Sequence, residues 1–62
     1  MIDPYDLLKA YLKERVILYL KTGEEFEGIL EGFDEHLNLL LTTPETLLFL
    51  RGENVIYVGQ NK

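Results

Sequence analysis

The chain has no cysteine, so neither a disulfide framework nor a thiolate metal site can staple it. Tryptophan and serine are missing too, and with cysteine and serine go both common acyl-transfer nucleophiles. His36 is the single histidine, which excludes a cluster of imidazoles around zinc. Positive charge is scarce: six Lys+Arg stand against eleven Asp+Glu, a net charge of −5 and a pI near 4.6. The broad basic footprint of a non-specific DNA or anionic-membrane binder is therefore absent. No apolar run reaches the roughly 20 residues that cross a bilayer. Met1-Ile2-Asp3-Pro4 has no charged region followed by an apolar stretch, so no signal peptide is expected and the chain reads as soluble and cytoplasmic. Neither a cofactor nor a metal is expected.

What is present suits a packed globule. Sixty-two residues, 47% of them hydrophobic, form one domain spanning 1–62. A chain this short has little core to spare, so it must pack very well or bury surface against a partner or copies of itself.

The first residues carry helix signals. Asp3 is a good N-cap, Pro4 suits the first helical position, and Asp6 lies where the helix dipole favours a carboxylate. Ile2 and Leu7 are spaced as a hydrophobic staple, and Leu7, Leu8, Tyr11 and Leu12 make one apolar stripe. The expected helix covers about 4–13. The period then changes from helical to two, and strands are expected at about 15–21, 25–33, 37–42, 46–51 and 54–58. Val16, Leu18 and Leu20 share one face, as do Phe26, Gly28, Leu30 and Gly32. Two glycines on one face imply a bend or a close backbone approach. Short connections leave no room for crossover helices, so the strands form an antiparallel meander. The expected fold is mainly β: a helix followed by a five-stranded, strongly bent small barrel.

The last two strands predict assembly. Leu47-Leu48-Phe49-Leu50 is apolar on both faces and Val55-Ile56-Tyr57-Val58 nearly so. An exposed apolar edge is an aggregation hazard unless another chain covers it. Pairing the fourth strand of one copy with the fifth of the next solves this. Such a contact is heterologous and closes into a ring.

The motifs then take over. Val16-x-Leu18-x-Leu20-Lys21-x-Gly23 leads to Phe26-x-Gly28-x-Leu30-x-Gly32-Phe33-Asp34-x-His36-Leu37-Asn38-Leu39-x-Leu41, and later to Leu50-Arg51-Gly52-x-Asn54-Val55. Over most of Val16 to Val58 the chain resembles the Sm/LSm (Sm-like) proteins, most closely the archaeal type. The resemblance implies the helix-plus-barrel fold, rings of six or seven subunits joined through the fourth and fifth strands, and single-stranded uridine-rich RNA around the inner rim. It implies that a uracil stacks between His36 and Arg51, that Asn38 bonds the base edge, and that Asp34 fixes the loop. The interface would comprise Leu47, Leu48, Phe49, Leu50, Val55, Ile56, Tyr57 and Val58.

The chemistry of these side chains agrees. An imidazole and a guanidinium sandwich a base for ~1–3 kcal/mol, and an Asn amide offers both a donor and an acceptor. Each residue also has a plainer reading. Asn38 can cap its own turn, Arg51 can pair with Asp34 or Glu53, and Gly52 reads as a turn glycine with positive φ that leaves room for a base. Asp34, Gly52 and Glu53 are counted as supporting residues. Glu24, Glu25, Glu27 and Glu31 read as a solvated face. Between the third and fourth strands only Thr43-Pro44-Glu45 intervenes, a shorter loop than the resemblance implies. The expected function is an RNA-binding ring subunit in RNA processing or turnover, not an enzyme. The alternative is a structural ring that docks protein partners with weak or no RNA binding.

Overall fold

The computed structural model describes residues 4–60; the Asp3 cap and the Ile2 half of the staple lie outside them. Helix α1 spans Pro4–Tyr11, two residues shorter than the sequence predicts. Lys13 ends it in the left-handed region, at φ 67°. The Glu14 N–H then reaches back to the Tyr11 carbonyl at 2.8 Å, and the Lys13 N–H donates to Leu30 O at 2.7 Å. Leu8 is buried and Tyr11 packs against the core, but Leu7 and Leu12 remain about two-fifths exposed, at 37% and 40%. Only part of the expected stripe therefore meets the barrel. No helix among the described residues is long and apolar enough to cross a membrane.

Five antiparallel strands follow: β1 (Arg15–Leu20), β2 (Glu25–Phe33), β3 (Leu39–Thr42), β4 (Leu47–Leu50) and β5 (Val55–Gly59). Their order in the sheet is β4-β3-β2-β1-β5. The meander therefore holds only through β4. A single 3-10 turn, Gly52–Asn54, turns the chain back so that β5 pairs with β1. That return leaves β4 and β5 as the two free edges. Alternation puts Val16, Leu18, Leu30 and Leu41, each 0% exposed, into one core with Leu39 and Leu8. Fully burying such side chains contributes roughly 1.5–3 kcal/mol each.

Two irregularities overturn the simple period-two reading. In β2 the register with β3 shifts between Leu30 and Gly32, so Glu31 is the extra residue. Beyond it Phe33 pairs with buried Leu39, and Gly32 pairs with half-buried Leu40. The bulge thus swaps faces: Phe33 packs on the core, and Gly32 leaves the face that Gly28 occupies. Gly28 supplies the close approach, because a Cβ there would collide with the Thr42 carbonyl. In β5 the register with β1 shifts so that Tyr19 pairs with Tyr57 and Leu20 with Val55, leaving Ile56 unpaired. Ile56 and Tyr57 consequently both point outward, 67% and 56% exposed.

Glu31 is not part of a solvated face. Lys13 Nζ donates to it at 2.6 Å and Thr42 Oγ1 at 2.8 Å. These bonds, the Lys13 one foremost, hold its carboxyl below the usual carboxylate range. The residue clips the end of α1 and strand β3 to the bulge.

Candidate nucleic-acid interface

The loop from β2 to β3 is built around one carboxylate. Asp34 Oδ1 accepts the backbone N–H groups of His36 at 2.9 Å and Asn38 at 3.0 Å, while Oδ2 accepts the Asn38 side-chain amide at 3.0 Å. The Leu37 N–H closes the turn on Asp34 O at 3.0 Å. This is the Asx-type wrapping that a short acidic side chain provides at a turn. The Asn38 amide does most to hold the Asp34 carboxyl below its ordinary pKa, followed by the Asn38 backbone N–H; desolvation opposes both, and the His36 N–H adds a smaller pull.

Leu37 sits inside the loop at φ 64°, a left-handed conformation costly for a residue that carries a Cβ. It is held there because its side chain packs against the core. The strand expected from residue 37 therefore begins only at Leu39. Turn chemistry wins over the apolar run.

The second loop docks on the first. The Gly52 N–H donates to Asn38 Oδ1 at 2.8 Å. A Cβ at Gly52 would lie 2.6 Å from Leu37 O and 2.7 Å from His36 O. Gly52 is thus required for close approach. Positive φ among the glycines is confined to Gly23, and the space beside Gly52 is filled by the facing loop. Asn38 consequently holds both loops, with one N–H and one acceptor lone pair left over.

His36 and Arg51 flank this bond, two residues before Asn38 and one before Gly52. Their side chains are 75% and 69% exposed, with His36 Nε2 3.5 Å from Glu35 Oε1 and Arg51 Nη2 3.4 Å from Glu53 Oε1. The partner of Arg51 is therefore Glu53 and not Asp34. Asp34 and Asn38 also line a concavity of about 150 Å³ with Leu40 and Phe49 of the β4 side. Leu37 and Gly52 line another of about 210 Å³ with Leu7, Ile56 and Tyr57 of the β5 side. The loop pair thus sits between the two free edges. No group of three His, Cys, Asp or Glu among the described residues is placed to hold a metal.

The sequence reading named His36, Asn38, Arg51, Asp34, Gly52 and Glu53, and the fold gathers them at one rim. It missed Glu35 and the strained Leu37. Glu35 is adjacent to His36, which is the signal that points to it; nothing in an apolar Leu37 announces a left-handed backbone.

Residues 6–60 match the family model described as the LSM domain. A "Probable U6 snRNA-associated Sm-like protein" of Encephalitozoon cuniculi is 54% identical over 95% of this chain and 93% of that protein. A "Putative snRNP Sm-like protein" of the archaeon Methanococcoides burtonii is 39% identical over 90% of this chain and 93% of its own length. In three dimensions the chain is similar to the SmAP (LSm) protein of Methanococcus vannielii, with TM-score 0.81 and 33% identity over 95% of this chain and all of that one. With helix, bent five-stranded sheet and both motifs in place, the chain belongs to the LSm (Sm-like) family of non-enzymatic, ring-forming RNA-binding proteins.

Proposed function

We propose that this protein forms a homo-oligomeric ring, a hexamer or heptamer, that holds single-stranded uridine-rich RNA during RNA processing or turnover. The observation that carries the reading is the Asp34–Asn38–Gly52 chain of hydrogen bonds. It fixes against each other two loops that carry an exposed imidazole and an exposed guanidinium. A base slides between the flat groups, and the remaining donor and acceptor of Asn38 read its edge. The names borne by the relatives, with their snRNA and snRNP associations, support an RNA partner.

Assembly follows from the edges. Leu47 and Phe49 on β4, and Ile56 and Tyr57 on β5, are 56–67% exposed. Leu48, Leu50, Val55 and Val58 lie behind them against the core. Pairing β4 of one copy with β5 of the next covers both edges and repeats the slot around a hole, so that weak single sites act together. Fluorescence anisotropy with oligouridine and oligoadenine at low salt, beside native mass spectrometry, tests both parts. Tight binding of oligouridine by a closed ring is expected, with loss on Arg51→Ala and His36→Ala, whose exposed side chains can be truncated without disturbing the core. A ring that binds neither oligomer would favour the protein-docking alternative.

A further inference from the structure

Each of the two flat side chains of the slot has a carboxylate near one of its nitrogens. Glu35 Oε1 stands 3.5 Å from His36 Nε2, and Glu53 Oε1 stands 3.4 Å from Arg51 Nη2. A phosphate grips a guanidinium through the same in-plane N–H groups. A nucleobase stacks on the face and leaves the edge alone. Other basic side chains are also engaged: Lys9 with Asp6, Lys13 with Glu31, and Arg15 with Glu27. Glu35 and Glu53 are largely exposed, 84% and 65%. Asp34, by contrast, carries three bonds of its own loop.

We propose that Glu35 and Glu53 are specificity-determining residues: standing beside His36 Nε2 and Arg51 Nη2, they disfavour a bare phosphate at these nitrogens and leave the ring faces for bases. The inference rests on the function proposed above and adds how an acidic protein selects a polyanion by its bases. A phosphate at Arg51 Nη2 competes with the Glu53 carboxylate, and at net charge −5 per subunit it also meets long-range repulsion. A stacked base displaces nothing.

The test compares wild type, Glu35→Gln, Glu53→Gln and the double variant in binding labelled oligouridine and an abasic phosphodiester strand of equal length, across a salt series. Glu45→Gln in the β3–β4 hairpin removes the same charge far from the slot. Removing the Glu53 carboxylate is expected to raise abasic-strand affinity by up to about fivefold, the span of an exposed ion pair, and removing the Glu35 carboxylate by less. The salt slope for that strand steepens by about 0.7 for each phosphate newly neutralised. Oligouridine gains less, so the preference for bases shrinks, whereas Glu45→Gln moves both strands equally. An unchanged preference in the double variant, whether neither strand gains or both gain alike, overturns this inference alone. A folded, assembled wild type that binds no oligouridine overturns the proposed function with it.

Discussion

Strands β1 to β3 and strands β4 and β5 are both rich in apolar residues, and those residues meet opposite fates. In the first group the inner face is largely closed over, and Val16, Leu18, Leu30 and Leu41 see no solvent. In the second, Phe49 and Ile56 are about two-thirds exposed. The difference lies in neighbours. Each inner strand has a strand on both sides, while β4 and β5 each have one. Hydrophobicity alone therefore does not say which residues stabilise the subunit and which await another copy; position in the sheet does.

The largest effect should come from breaking the inner strands. Leu30→Ala is expected to cost about 2–5 kcal/mol by removing buried contacts and leaving a cavity, read as a lower denaturation midpoint with lost near-ultraviolet structure. Leu47→Ala, at an exposed position, should stay within about 0.5 kcal/mol for the subunit. If the two prove equal, the contrast between centre and edge is false. Next in size, Phe49→Asp on one edge or Ile56→Asp on the other should dissociate the ring at micromolar concentration while retaining the circular dichroism of the fold. Sedimentation velocity checks this, and a ring that tolerates both charges would show that the edges are not the joint.

The smallest effect concerns pH, and it sets the β2–β3 loop beside the bulge. Asp34 and Glu31 both have lowered pKa values when folded. The stability they contribute is present above the ordinary carboxylate range near about pH 4 and is lost as the pH falls through the lowered values. Urea midpoints should decline over that acidic window, and Asp34→Asn with Glu31→Gln should flatten the decline. Of the two, Asp34→Asn should also weaken oligouridine binding, because Asn38 loses its anchor, whereas Glu31→Gln should leave it intact.

The positions at which sequence reading failed share one cause. Gly28 and Gly32 look equivalent at a spacing of four, yet only Gly28 lies against a carbonyl, since the extra residue at Glu31 reverses the parity beyond it. Val55 to Val58 read as a strand apolar on both faces, and the unpaired Ile56 is what turns two successive side chains outward. Gly52 looked like a turn glycine and is a contact glycine. Each outcome depends on a partner strand or loop distant along the chain. By contrast, the change from helical to alternating period was readable because it is made by residues a few positions apart, and the role of Asp34 in its loop was legible through the family resemblance.

The sequence by itself determined that a short helix precedes five strands, that a polar break at Asp34-Glu35-His36 separates the second from the third, and that more apolar surface exists than one small domain can hide. These are local matters of propensity, capping and alternation. Only the tertiary structure decided that β5 returns to β1 and leaves β4 and β5 as the open edges, and that the Gly52 amide joins Asn38 to unite two loops into one slot. Those facts arise from contacts between distant segments, where backbone sterics and unpaired hydrogen-bonding groups, not residue type, fix what meets what.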